Sequence, residues 1–481
     1  MTTPVSGREV AHTSRLLAIT VWAALGVIAL RLVSTAGGYA HAQAAMATAE
    51  LTFGAWVFWT HGGRWITAAG IYSITSAGFI GYAGLWWLDR TGDALPATLF
   101  LATAVCFFTH LAMFALFWVK SDRIYPRADL PRATQEVTTW LIVSGVVLSL
   151  GAVTAAHIRP VTYLDSFMFV GVVLFCLGVI VAPRRERLSL WKIMFIGVAI
   201  ALYVITFFQG GGRLNPSVLL GSIAVLACTR FPGRLAKVVV VVGTPVVTVI
   251  LTAIRTTYHE AQFGPAGTGT GNPDSTVNPL ETLARLLDPD ANFAAGNGST
   301  LWATFTIFVP RGLWPDKPIG FGAVLTRIFE PQLVAVDHSM AALAAGEWFF
   351  NWGWAGLVAM VLGVGWTVRW IDRTVGRLVA KEVDTRLLAI QLAMSAIIIA
   401  GLADFVWVGT FTYASRAGLR VSILLIIIVF LAARAPRKSL RSMTVARNSP
   451  TTPSSRLRPG SRSTSPTRTT PGSAPPSWPS A

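Results

Sequence analysis

The residues with the clearest chemical potential lie between 310 and 353. The run Pro310-Arg311-Gly312-Leu313-Trp314-Pro315-Asp316-Lys317-Pro318 places three prolines in nine residues. Proline fixes its own φ and restricts the residue before it, so this run predicts a stiff turn. Such a turn holds Arg311, Trp314 and Lys317 in one arrangement. The two cations suit a phosphate, arginine through paired hydrogen bonds and lysine as a point charge. Trp314 suits a bilayer interface. The plainer alternative is that the same side chains anchor the chain to lipid head groups. Downstream come Asp337-His338-Ser339 and then Gly346-Glu347-Trp348-Phe349-Phe350-Asn351-Trp352-Gly353. Glu347 and Asn351 are four apart and share a helix face. His338, flanked by an acid and a hydroxyl, can serve chemistry or structure.

The elements that position these residues are membrane helices. Of the 481 residues 53% are hydrophobic and 13% charged, about half the charge of a soluble domain. A lipid-facing surface cannot carry more. A spanning helix needs about 20 mostly apolar residues. Residues 16–33, 41–60, 65–88, 97–119, 137–156, 163–182, 190–208, 215–229, 237–254, 346–368, 387–408 and 418–434 meet or approach that requirement. The run 215–229 is short, and 41–60 is Ala-rich and contains Gln43 and Glu50. The expected fold is therefore all-α and polytopic, with twelve crossings. No run alternates as a membrane barrel strand would. No internal repeat is evident, and no helix reads as broken at mid-membrane.

Basic residues set the orientation. With both termini cytoplasmic, Lys120, Arg123, Arg127 and Arg132 fall inside, as do Arg184, Arg185 and Arg187, then Arg230, Arg234 and Lys237, and finally Arg369, Arg373, Arg377 and Lys381. The connections on the other side are poor in basic residues. The segment 255–345 then faces outward. Its first part, Gly264 to Pro279, is rich in Gly, Pro, Thr and Asn and reads as flexible. Leu301–Val309 is apolar but too short to span, and belongs at the interface. The expected division is a membrane domain 1–434 and a disordered basic cytoplasmic tail 435–481.

The net charge of +17 does not imply nucleic acid, because eight of those charges sit in the acid-free tail and most others lie in short loops. Cys106, Cys176 and Cys228 each lie inside an apolar run, so no extracellular disulfide framework is expected. Intramembrane acids are functional candidates by default. Asp404 sits near the outer end of its helix, and Glu50 is expected to pair with Arg31 or Arg64.

The "PRGLWPDKP" turn, the downstream "DHS" and "GEWFFNWGWAGL" together resemble the Wzy-type O-antigen polymerases, the oligosaccharide repeat-unit polymerase family. The similarity covers about fifty residues, 305–355. Arg213 in "GGGR" resembles the family's arginine near an outer helix end. Trp348 stands where the family has Tyr after Gly-Glu.

The resemblance implies glycosyl transfer on the outer face of the cell membrane. An isoprenoid-diphosphate-linked oligosaccharide is the substrate. Cations should stabilise the leaving diphosphate, and a base should accept the proton of the attacking hydroxyl. Arg213, Arg255, Arg311 and Lys317 are assigned to the diphosphate, with Arg416 and Arg420 ranked behind them. Trp314 and Asn351 complete the substrate contacts, and Asp404 could line the acceptor path. His338 is the base candidate and Glu347 its competitor. Arginine neutralisation leaves no need for a metal or other cofactor. Membrane lipids and a chain-length regulator are the further partners the family suggests. An O-antigen ligase-like transferase shares this chemistry and stays open. A lipid-linked saccharide flippase is the non-enzymatic alternative. A transferase using a monosaccharide phosphate donor would carry an acidic pair in the first outer loop, and Ser34 to Ala40 has no acid.

Overall fold

The computed structural model of the chain describes residues 7–35, 38–119, 125, 133–158, 163–183, 190–208, 214–230, 233–263, 274–291, 293–309, 311–336, 339–381 and 385–434. Arg213, His338 and the tail 435–481 lie outside the described residues. The chain divides into a unit Met1–Phe430 and a segment Leu431–Ala481, of which only 431–434 are described.

Among the described residues every regular element is helical and no strand occurs. The α-helices are α1 (Gly7–Thr35), α2 (Tyr39–Thr60), α3 (Ala68–Ser76), α4 (Ala83–Thr91), α5 (Ala97–Met113), α6 (Gln135–Ile158), α7 (Leu164–Val181), α8 (Leu190–Phe207) and α9 (Leu214–Ala227). They continue with α10 (Gly233–Phe263), α11 (Asp274–Leu286), α12 (Ser299–Phe305), α13 (Phe321–Phe329), α14 (Leu343–Leu378), α15 (Arg386–Val408), α16 (Thr410–Tyr413) and α17 (Leu419–Arg434). Wider π-helical turns join α3 to α4 (Ala77–Tyr82), extend α5 (Phe114–Trp118) and join α16 to α17 (Ala414–Gly418).

Among the described residues eight helices are long and apolar enough to cross a membrane: Leu17–Thr35, Ala97–Trp118, Gln135–Ile158, Leu164–Val181, Gly233–Ile254, Leu343–Leu378, Arg386–Val408 and Thr410–Ala433. The other four expected crossings fall on α2, on the interrupted pair α3 and α4, and on the shorter apolar helices Met194–Phe207 and Leu214–Ala227. α2 carries its polar residues inward. Gln43 Nε2 donates to Gly84 O at 3.2 Å and to Thr103 Oγ1 at 3.0 Å. Glu50 meets His110 Nδ1 at 2.9 Å rather than the expected Arg31 or Arg64, because the α2–α5 packing brings that ring opposite it. Pairing of this kind is what lets a polar side chain sit in such a bundle. Helices α6 and α7 pack with their backbones close. A Cβ on Gly145 would lie 2.6 Å from Gly171 O, so only glycine fits there.

Helix ends meet in two sets. In one, Lys237 Nζ donates to the carbonyls of Trp59, His61 and Gly63 at 3.1, 3.2 and 2.8 Å. Asp372 accepts from Ala68 N at 2.7 Å, Ala69 N at 3.2 Å and Tyr125 Oη at 2.8 Å. Arg386 pairs with Glu136 at 2.6 Å. These residues all come from ends that the sequence puts on the cytoplasmic side. The second set holds α11, α12, the first turns of α7, α9 and α14, and the junction between α15 and α16.

Three expectations need correction. The segment 255–345 is far more helical than a loop. α10 runs on to Phe263, so Arg255 lies within it and not at its end, although it is the first residue beyond the apolar stretch ending at Ile254. Residues Asp274–Pro279, read as flexible, begin α11. Val277, Leu280, Leu283 and Leu287 repeat at helical spacing and are buried, each worth roughly 1.5–3 kcal/mol, and that stripe outweighs the local proline. α14 also has a break, near the outer end of its expected crossing and not at its middle. Trp352 (φ −142°, ψ 16°) and Gly353 (φ 58°, ψ −141°) leave helical geometry, and glycine is the residue that tolerates this positive φ.

Candidate functional site

The break in α14 creates a half-helix, Leu343–Asn351, whose residues Gly346, Glu347, Phe350 and Asn351 are all buried. The expected shared face of Glu347 and Asn351 is observed. Asn351 Nδ2 donates to Glu347 O at 2.7 Å and to Thr300 Oγ1 at 2.7 Å. Phe350 O accepts from Gly296 N at 2.9 Å. The half-helix is thereby fastened to the start of α12.

Glu347 reaches the other way. Its Oε2 accepts the backbone N–H of Thr410, the first residue of α16. A carboxylate at a helix start satisfies an otherwise orphan N–H and complements the helix dipole. Gly409 makes this approach possible. It adopts φ 106°, and an added Cβ would lie 2.4 Å from Glu347 Oε2. Glu347 thus fixes the beginning of the last helical segment.

The proline-braced turn follows α12. Lys317 Nζ donates to Val309 O at 2.7 Å and to Ile307 O at 3.4 Å, so the ammonium caps the end of the preceding helical stretch. Arg311 is exposed and its Nη1 donates to Pro315 O at 3.2 Å. Trp314 is 38% exposed. Trp302, Phe305, Phe308 and Leu313 are also exposed, giving the apolar outer surface expected of an interfacial segment. At its far end the turn docks on α16, where a Cβ on Gly320 would fall 2.3 Å from the Phe411 ring. Ser339 and Met340 then pack on α13, with Met340 N donating to Gly322 O at 3.2 Å.

Asp404 is buried near the end of α15 and is paired through Oδ1 with Arg416 Nη1 at 2.7 Å. Arg416 lies in the π-turn before α17, and Arg420 follows it by one helical turn. Arg420 is fully buried, with Nη2 donating to Asn215 Oδ1 at 3.0 Å. The sequence ranked these two arginines below Arg311 and Lys317, yet they are the ones drawn into the protein. The signal was available, because Arg420 sits between Leu419 and Val421 in an apolar run, where an ionisable residue is a functional candidate.

Of the expected site residues, Glu347 bonds the α16 N-terminus and Asn351 ties the half-helix to α12. Arg311, Trp314 and Lys317 instead lie in the turn between α12 and α13, where the hydrogen bonds of Arg311 and Lys317 stay within that segment. Asp404 lies on α15, which ends beside the α16 N-terminus. Arg255 is described in its backbone only, and Arg213 and His338 lie outside the described residues. Among the described residues no three His, Cys, Asp or Glu side chains gather in a way that could hold a metal ion. Comparison of the chain with protein-family models, with curated proteins and with solved structures finds no match.

Proposed function

We propose that this chain is a membrane glycan polymerase. It joins isoprenoid-diphosphate-linked oligosaccharide repeat units on the outer face of the cytoplasmic membrane, as its motif resemblance to the Wzy-type polymerases implies. In this reading twelve segments cross the bilayer, both termini are cytoplasmic, and 255–345 faces outward. Two features support that arrangement. Helix ends that the charge bias groups together are also the ends that bond to one another. Trp302, Phe305, Phe308, Leu313 and Trp314 are exposed, as the side chains of an interfacial segment would be.

The observation that carries the reading is convergence. The Glu347–Asn351 motif reaches α12 through Asn351 with Thr300 and the α16 start through Glu347 with Thr410, while Gly320, two residues past the proline-braced turn, packs on Phe411 of the same α16. A stiff cationic turn anchored beside the bilayer suits a diphosphate that gains charge as the glycosidic bond breaks. Arg311 offers that charge to solvent. Lys317 contributes through turn geometry, since its ammonium is engaged. His338 is the base that takes the acceptor hydroxyl's proton, and Glu347 positions the assembly through its hold on Thr410. Holding two large substrates together supplies much of the remaining rate. No metal or other cofactor is required in this scheme.

The α14 break does not favour the flippase alternative, because it lies near the outer end of the 346–368 crossing, whereas transporter helices break near mid-membrane. Deleting the gene and analysing lipid-linked saccharides separates the readings. Accumulated single repeat units support polymerisation, accumulated long chains point to a ligase, and loss of outer-face intermediates points to a flippase.

A further inference from the structure

Arg420 is fully buried, yet its charge is incompletely answered. The guanidinium carbon lies 3.7 Å from the centroid of the Phe169 ring. Nη2 donates to Asn215 Oδ1 at 3.0 Å, a neutral amide oxygen. Asp165 Oδ2 stands 4.0 Å from the same nitrogen, beyond hydrogen-bond range. Nε and Nη1 are buried with no partner. Asp404 makes no hydrogen bond to Arg420, and its Oδ1 is engaged with Arg416 Nη1 at 2.7 Å. Its Oδ2 is buried and also unbonded.

A guanidinium is permanently charged, has five N–H donors and accepts nothing. The counter-charge of Arg420 is the Asp165 carboxylate at 4.0 Å, and two of its nitrogens have no hydrogen bond, so its desolvation is only partly compensated. The natural complement is an anion with several acceptor oxygens, and the guanidinium fork matches a phosphate bidentately. Phe169 fixes the plane of the fork, and Asn215 holds one of its terminal nitrogens, so the free edge is preset. The unbonded Asp404 oxygen nearby calls for a donor, which a hydroxyl of the same ligand supplies. The cluster reaches the protein surface at its edge, where the Arg416 and Asp165 side chains are 23% and 26% exposed.

We infer that Arg420, with Asn215 and Asp404, forms a binding site for the phosphate group of a hydroxylated phosphate ester. The site itself stands on this geometry. That the phosphate belongs to a glycosylated isoprenoid carrier rests on the polymerase reading. In that case the diphosphate is drawn in toward α17, and Arg311 stands at the entrance.

The test uses the purified full chain in phosphatidylcholine nanodiscs. Inorganic pyrophosphate and farnesyl diphosphate are each titrated while the thermal unfolding midpoint is followed. Both probes should raise the midpoint. Tighter binding of farnesyl diphosphate identifies a lipid source, and equal binding a soluble phosphate. Arg420→Met should weaken binding by about tenfold or more, the loss expected for a charge-assisted hydrogen bond. Arg420→Lys keeps the charge without the fork and should fall between, which guards against a Met variant that fails to fold. No midpoint shift with either probe, or unchanged affinity in a folded Arg420→Met protein, overturns the site. Normal polymer in cells carrying a folded Arg420→Met protein overturns the assignment of the site to the carrier and leaves the polymerase reading standing. Arg420-dependent pyrophosphate binding, with unaltered lipid-linked saccharides in the deletion strain, overturns the polymerase reading and leaves the site standing.

Discussion

Asn351 Nδ2 and Thr300 Oγ1 are 2.7 Å apart, although 51 positions separate the two residues in sequence. One amide group therefore joins the α14 half-helix to α12, the helix that leads into the cationic turn. The same nitrogen also bonds Glu347 O, so both of its hydrogens are used inside the protein. Asn351→Ala should cost about 1–3 kcal/mol, the penalty for leaving buried polar groups unsatisfied. A lowered thermal unfolding midpoint of the detergent-solubilised chain is the expected result. An unchanged midpoint would show that the contact does not hold the two segments together.

Gly409 carries the next expectation. Its φ of 106° suits glycine, and any side chain would press on the Glu347 carboxylate. Gly409→Ala should lose about 1–3 kcal/mol from strain alone. It should also push Glu347 off Thr410 N and depress polymer formation more than stability predicts. Wild-type polymer yield in a correctly inserted Gly409→Ala protein would remove Glu347 from its positioning role.

These two cases mark what the sequence disclosed and what it hid. Helix positions were legible because long apolar runs are nearly sufficient to specify them, as α15 illustrates. The stiffness of the 310–318 turn was legible because proline acts locally. The commitments of particular side chains were not. Lys317 looks like a free cation until Ile307 and Val309 present their carbonyls. Glu347 looks like a base until the chain returns at Thr410, 63 positions later. The helix α11 was masked by its glycine- and proline-rich approach, since its buried stripe acquires meaning only against α5 and α14. The α14 break rests on one glycine in an aromatic stretch, and glycine also occurs in unbroken membrane helices.

The buried chain of Glu50, His110 and Ser73 gives a stability prediction away from the site. His110 Nδ1 meets Glu50 Oε1 at 2.9 Å, and Nε2 meets Ser73 Oγ at 2.9 Å. Removing one partner of such a pair strands the other in an apolar interior. His110→Ala should therefore cost about 3 kcal/mol, whereas replacing Glu50 and His110 together by leucine should cost less. The unfolding midpoints of the two variants decide it, and the reverse order would mean that packing, not pairing, dominates there.

Orientation is checked by cysteine labelling with a membrane-impermeant reagent. Lys317→Cys should react in intact cells and Lys381→Cys only after lysis. The opposite pattern would put the aromatic stretch 302–314 on the cytoplasmic leaflet and remove the outer-face chemistry.

The central claim is that the braced turn presents Arg311 to a diphosphate. Polymer length is therefore read on a gel in the deletion strain complemented with Arg311→Ala at the wild-type membrane level. The account predicts single repeat units and no ladder. A ladder of normal length from that variant would contradict it.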